Sequence, residues 1–163
     1  MVKGEYLDFS IRPWTAGDRI PAGRLIASIL LEYGLPWEPE GADRDVVEVE
    51  PFYLETGGGF WVVHQGDTLV GTAGFYPVSR GDRAVELRKM YLIPSVRGRG
   101  LGTFLLQELE AEIQQRGFHT IWVETASVLQ EAVTFYERHH YLPATGVETE
   151  RCDRIYSKTF PPT

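Results

Sequence analysis

Val96-Arg97-Gly98-Arg99-Gly100-Leu101-Gly102-Thr103 stands between a stretch patterned as a strand and a stretch patterned as a helix. Upstream, Arg83 to Ile93 reads as one long strand, and Pro94 stops it. Downstream, Leu101, Leu105, Leu109 and Ile113 recur at four-residue intervals, which predicts a helix from about Gly100 to Arg116 that ends at Gly117. Glycines at 98, 100 and 102 remove side chains where the backbone must approach a ligand closely. The first amides of the following helix point outward without an intrahelical partner, and the helix dipole adds partial positive charge. Together these features make an anion site suited to a pyrophosphate. Arg88, Lys89, Arg97 and Arg99 surround it, and residues 88–99 contain no acid, although the chain as a whole carries a net charge of −7.

Three kinds of phosphate site compete for this segment. A Walker A loop requires Gly-Lys-Ser/Thr, and here Gly102 is followed by Thr103 with no lysine. A dinucleotide-binding turn is a closer mimic, because Glu124 ends the next strand about where a ribose-binding acid would stand. Against it, the third glycine of G-x-G-x-x-G falls on Thr103, and the strands before the turn are joined by tight hairpins rather than parallel crossovers. The third is the pyrophosphate of coenzyme A.

The rest of the chain supplies the frame. Asp8 to Pro13 reads as a first strand. Asp18 opens a helix carrying Leu25, Ile26, Ile29, Leu30 and Tyr33, and Gly34 closes it. Leu35 to Gly41 is a loop, and a second helix is predicted over Asp43 to about Leu54. Strands Phe60–His64 and Thr68–Tyr76 flank the turn Gln65-Gly66-Asp67. After the glycine segment and its helix come a strand at His119–Glu124 and a helix opened by a Ser127/Gln130 capping box. That helix carries Val128, Ala132, Phe135 and Tyr136, and strands at about Tyr141–Val147 and Cys152–Lys158 follow. Hairpins are antiparallel and a helical crossover is parallel, so the pattern predicts an α/β domain with a mixed sheet.

Bulk properties narrow the function. A chain of 163 residues suits one domain, expected over 1–163. The acidic balance argues against general nucleic-acid binding. No apolar run approaches transmembrane length and the first nine residues lack a signal-peptide core, so a cytoplasmic protein away from membranes is expected. The single cysteine, Cys152, allows no intramolecular disulfide and reads as a small apolar strand residue. His139 and His140 read as helix-cap residues rather than a metal pair, and no metal is expected.

Arg97-x-x-Gly100-x-Gly102 resembles the Arg/Gln-x-x-Gly-x-Gly/Ala signature of the GNAT (GCN5-related N-acetyltransferase) superfamily. The likeness extends upstream through Leu87-Arg88-Lys89-Met90-Tyr91-Leu92-Ile93-Pro94 and downstream to Ala132-x-x-Phe135-Tyr136-Glu137-Arg138. It implies a single-domain fold with a mixed sheet of about 6–7 strands and about four helices, splayed at an acyl-CoA site. The implied function is transfer of an acetyl group from acetyl-CoA to a primary amine, on a small molecule or a peptide, by direct attack in a ternary complex. A non-catalytic acyl-CoA sensor is the alternative, and a homodimer is left open.

The resemblance also assigns residues. The backbone of Met90, Tyr91 and Leu92 would bond the pantetheine arm, with one amide polarising the thioester carbonyl. Arg97, Gly98, Arg99, Gly100, Leu101, Gly102 and Thr103 would hold the pyrophosphate, chiefly through the amides from Gly98 onward. Tyr136 would protonate the departing thiolate, though an aromatic at that helical spacing could simply pack on the sheet. Glu124 and Glu86 are the candidate bases, and either could equally sit in a salt bridge. Strict alternation would put Glu86, Arg88 and Met90 on one strand face. Two departures stand out: Leu129 replaces an asparagine common in relatives, and His140 replaces a glycine after the last helix. Histidine tolerates the left-handed conformation expected there. Glu38, Glu40, Asp43 and Asp45 suggest an acidic rim for a cationic amine, with Trp37, Phe52 and Tyr53 as aromatic walls.

Overall fold

A computed structural model describes residues 2–161, so Met1, Pro162 and Thr163 lie outside the described part of the expected domain. In chain order the elements are β1 (Gly4–Tyr6), β2 (Phe9–Pro13), α1 (Arg19–Glu32), α2 (Arg44–Val47), β3 (Gly59–Gln65), β4 (Thr68–Val78), β5 (Ala84–Leu92), α3 (Leu101–Gln115), β6 (Thr120–Thr125), α4 (Gln130–Arg138), β7 (Leu142–Pro143) and β8 (Arg154–Thr159). The strands form one sheet in the order β1-β2-β3-β4-β5-β6-β8-β7. β5 and β6 are parallel, as the α3 crossover requires, and the other neighbouring pairs are antiparallel. Among the described residues no helix is long and apolar enough to cross a membrane.

The two sheet faces bury separate cores. Leu101, Leu105, Leu109 and Ile113 of α3 pack with Val85, Leu87, Val123 and Tyr136 on one face. Leu25, Ile26, Ile29 and Leu30 of α1 pack with Tyr53, Phe60 and Val62 on the other. The four-residue apolar spacing in α3 therefore does what its pattern implies.

The sheet has eight strands rather than six or seven. The addition is β1, three residues folded back on β2, too short for a period to show. At the other edge the strand expected over Tyr141–Val147 shrinks to Leu142–Pro143. The helix expected over Asp43–Leu54 divides into α2 and a π-helical turn at Glu50–Leu54. Pro51 has no amide to donate to the turn before it, so the α-helical ladder cannot run through. The Ser127/Gln130 capping box does not form. Leu129 is the N-cap of α4, and the Ser127 amide and hydroxyl both donate to Asp153, at 2.6 Å each. A carboxylate is the stronger acceptor, so it captures the serine. His140 has φ 72°, the left-handed conformation expected of it.

Two irregularities in β5 position the site. The first is a bulge: Thr72 pairs with Tyr91 and Gly74 with Arg88, so Lys89 and Met90 together oppose Ala73. Lys89 adopts φ 53°, and its carbonyl accepts a 2.8 Å hydrogen bond from Thr72 Oγ1. The extra residue shifts the side-chain alternation. Met90 packs with the α3 core and Tyr91 with the α1 core. Lys89 turns to the same side as Arg88, where both meet Asp45. The expectation that Glu86, Arg88 and Met90 share a face thus fails at Met90. The second irregularity is the end of β5–β6 pairing. The last parallel register is Leu87 with Val123, although β5 runs on to Leu92 and β6 to Thr125. The strands splay beyond it and leave unpaired backbone on both sides.

Candidate active site

A cavity of about 620 Å³ occupies this splay, with Leu92, Gly100, Tyr136 and Glu86 among its walls. At one end is the glycine turn. Gly98 and Gly100 have φ of 75° and 84°, values an L-residue adopts only with strain. Gly100 is the N-cap of α3, and the first helical amide to reach a backbone carbonyl is that of Phe104, bonded to Gly100 at 3.1 Å. The amides from Gly98 to Thr103 have no backbone partner among the described residues, and Gly98, Gly100, Gly102 and Thr103 line the cavity.

The basic side chains around the turn are engaged elsewhere. Arg97 forms a bidentate pair with Glu32 at 2.7 and 3.0 Å, and its Nε donates to the Leu92 carbonyl at 2.9 Å. Arg99 lies over the Phe9 ring and 3.5 Å from Asp8. Thr103 Oγ1 is 3.0 Å from His139 Nε2. The arginines thus brace the loop, and what the turn itself offers an anion is its unpartnered amides and the helix dipole. Tyr6, on the edge strand β1, is a residue that sequence reading missed. Its hydroxyl donates to the Arg99 carbonyl at 2.8 Å and its ring stacks on Phe104. No local pattern couples positions 93 apart in the chain.

The exposed edge of β5 forms the cavity's length. The Ile93 amide bonds the Val70 carbonyl while Leu92 stands opposite Gly71. In an antiparallel ladder this is a pair that exchanges no hydrogen bonds, so the amide and carbonyl of Leu92 turn toward the gap. Alternation aims the Met90 amide the same way and turns the Tyr91 backbone back to β4. Of the three residues expected to bond a pantetheine arm through their backbones, Met90 and Leu92 turn toward the gap and Tyr91 turns toward β4. The Leu92 carbonyl is already held by Arg97, which leaves its amide.

Tyr136 stands on the opposite wall, its residue buried and its ring edge-on to Phe135 and Tyr141. Its hydroxyl has no hydrogen-bond partner among the described residues. Burial pushes the phenol pKa well above its ordinary value, and Tyr91 adds to the shift. The group therefore stays protonated at neutral pH and can act as a donor.

The two glutamates differ sharply. Glu124 accepts from Arg80 at 2.8 Å, from the Thr149 amide at 2.7 Å and from the Glu148 amide at 3.1 Å. Burial alone would raise its pKa, but the Thr149 and Glu148 amides and Arg80 outweigh it and hold the carboxyl below its ordinary value. A carboxylate so saturated is a poor proton acceptor. Glu86 is buried and uses one oxygen, Oε2, to accept from Arg88 Nη1 at 2.8 Å and from Tyr76 at 3.3 Å. Its Oε1 has no partner among the described residues, and Glu86 lines the cavity.

The acidic rim dissolves into two parts. Glu38 and Glu40 are exposed, but Asp43 and Asp45 are buried. Arg151 holds Asp43 bidentately at 2.7 and 2.9 Å, and Lys89 Nζ lies 3.4 Å from Asp43 and 3.1 Å from Asp45. Tyr53 is buried and donates to Asp45, Phe52 is exposed, and Trp37 packs against Gly23. None of these three aromatics lines the cavity, which takes Tyr33, Tyr91 and Phe135 instead. The amphipathic pattern could not separate a buried aspartate from an exposed one, because their partners come from β5 and from the segment before β8.

Known proteins resemble the chain in both sequence and fold. Residues 24–141 match the model of the acetyltransferase (GNAT) family. The N-acetyltransferase YjgM of Escherichia coli (strain K12), itself uncharacterized, is 32% identical over 130 residues, 78% of each chain. An acetyltransferase of the GNAT family from Staphylococcus aureus Mu50 superposes with a TM-score of 0.86 at 19% identity, over 93% of this chain and 98% of that one. The structure of yncA from Salmonella typhimurium, solved with its cofactor acetyl-CoA, superposes with a TM-score of 0.71 at 18% identity over 94% of each chain.

Proposed function

The chain belongs to the GNAT acetyltransferase family, and we propose that it carries an acetyl group from acetyl-CoA to an amine inside the cleft between β5 and β6. The observation that carries this reading is the splay itself. One opening brings together the free amides of the glycine turn, the inward backbone of Met90 and Leu92, the unpartnered Tyr136 hydroxyl and the open oxygen of Glu86. The acetyl-CoA bound to yncA, a structural neighbour, supports the same donor here.

The donor supplies an activated acyl group, and the roles of this chain follow from geometry. The amides from Gly98 to Thr103 hold the pyrophosphate, and the Leu92 amide bonds the pantetheine arm. Glu86 takes the proton that the ammonium must lose before its nitrogen lone pair can attack the carbonyl carbon. The Met90 amide donates to the carbonyl oxygen as negative charge develops there. As the carbon–sulfur bond breaks, Tyr136 gives its proton to the departing sulfur, and the second proton lost by the nitrogen as it becomes a neutral amide returns to the tyrosinate. The route is direct attack, with donor and acceptor in the cleft together. Glu124 then serves to tie β6 to the 148–149 segment. The sensor alternative gains no support, because a module that only binds needs neither the open Glu86 oxygen nor the free phenol. A cytoplasmic setting is part of the same proposal.

Free-thiol release from acetyl-CoA, measured across a panel of amines, tests the reading. Acceptor-dependent release that Tyr136→Phe sharply reduces is expected. Tight acetyl-CoA binding with no release above background for any amine would overturn it.

A further inference from the structure

The end of the cavity beyond the splay is of mixed charge rather than acidic. Arg88, Lys89 and Arg151 line it together with Glu86 and Glu124, while Asp43 and Asp45 stand behind them and do not. Lys89 and Arg151 are neutralised by those aspartates, and Glu124 by Arg80. Arg88 pairs with Glu86 and, more distantly, with Asp45. Nη1 donates to Glu86 Oε2, and Nε lies 3.5 Å from Asp45 in a position that makes no hydrogen bond, although the atom is buried. Nη2 has no partner among the described residues. A guanidinium offers five N–H donors in a rigid fork, and the outer pair on Nη2 has no protein partner here. Its Cζ stands 5.6 Å from the centre of the Tyr76 ring. A guanidinium held from one side, with its outer fork left for a ligand in the cavity it lines, is a receptor for a planar anion.

Its neighbour defines what else the ligand must carry. Glu86 Oε2 is 2.8 Å from Arg88 Nη1, so the open Glu86 oxygen and the unused Arg88 fork lie side by side. A molecule touching both presents an amine and a carboxylate separated by very few bonds. We propose that the acceptor is a free α-amino acid, its carboxylate held by Arg88 and its amine delivered to Glu86. The proposal rests on the acyl-transfer reading of this cavity and names its substrate class. It replaces the small cationic amine that the acidic sequence around residue 40 suggested.

The test uses the full chain, acetyl-CoA, and a panel of amino acids each paired with its own carboxamide, with thiol release as the readout. The best amino acid should exceed its amide in kcat/KM by roughly thirtyfold or more, the scale of a lost charge-assisted pair. Arg88→Gln should bring that ratio toward about one, while calorimetry shows unchanged acetyl-CoA affinity. Amides or plain amines acetylated as well as the acids would overturn the carboxylate proposal and leave acetyl transfer standing. So would an acid preference that persists in folded Arg88→Gln. If that variant does not fold, the wild-type ratio of acid to amide decides alone. Failure of the transferase reading would look different: no thiol release with any amine, amides included.

Discussion

Thr72 Oγ1 donates a 2.8 Å hydrogen bond to the Lys89 carbonyl, and that bond fastens the bulge on which the cleft depends. Thr72 is fully buried and Lys89 sits at φ 53°, a conformation that costs a non-glycine residue energy. Thr72→Val keeps the shape but leaves the carbonyl without its buried partner, at a cost of about 1–3 kcal/mol. Urea unfolding should show that loss, and Thr72→Ser should recover most of it. Because the bulge aims Met90 and Leu92 into the gap, acetyl-CoA affinity should also weaken severalfold in the valine variant. A variant as stable as wild type would show that the bulge does not need this bond.

Gly100 joins two constraints. It holds φ 84°, and a Cβ there would stand 2.5 Å from the Tyr6 hydroxyl. Gly100→Asp adds strain, collision and a negative charge beside the pyrophosphate, so acetyl-CoA should bind at least about tenfold more weakly. Gly102→Asp should act similarly, since its Cβ would press on Phe135 at 3.3 Å. Tyr6→Phe should weaken binding less, because it frees one carbonyl and leaves the amides in place. Calorimetry on the folded variants reads all three. Unchanged affinity in both aspartate variants would remove the turn from the donor site.

Much of this architecture was legible in the sequence because it is local. Leu101, Leu105, Leu109 and Ile113 announce α3, and the three glycines with their flanking elements announce the turn that opens it. What sequence hid is set by contacts between distant segments. Lys89 carries no sign that it will leave the strand's alternation, since a bulge at a lysine is imposed by the partner strand and by Thr72. Asp43 and Asp45 look like Glu38 and Glu40 until β5 brings Lys89 and Arg88 beneath them. Arg97 and Arg99 look free until Glu32 and Asp8 arrive from the first third of the chain. Glu86 and Glu124 were equivalent as bases in the sequence, and only the amides at 148–149 separate them.

Tyr136→Phe preserves the ring's contacts with Phe135 and Tyr141 and removes only a hydroxyl that has no partner among the described residues. Stability should therefore change little. Loss of the proton donor should lower kcat by about 10²–10⁴-fold with near-normal acetyl-CoA affinity. Single-turnover kinetics beside calorimetry separate the two effects. Equal turnover in mutant and wild type would make Tyr136 a packing residue.

The two glutamates should part in opposite directions when each becomes glutamine. Glu86→Gln removes the open oxygen and should cost about 10²–10⁴-fold in kcat/KM. Its residual rate should climb as pH rises and more acceptor amine is already neutral. Glu124→Gln should keep turnover per folded molecule within a few fold but lose stability, because Arg80 and two amides lose a charged acceptor. The pH dependence of that loss has a definite sign. The folded Glu124 carboxyl is held below its ordinary value of 4.5 by its bonds. Its ionised form therefore stabilises the fold fully above that value, and the contribution disappears as pH falls through the lowered folded value. The stability gap between wild type and Glu124→Gln should be widest near neutrality and should close in acid. Chemical denaturation at neutral pH and at progressively lower pH measures it. A turnover collapse in Glu124→Gln with its stability intact would exchange the roles of the two residues and return the base to the end of β6.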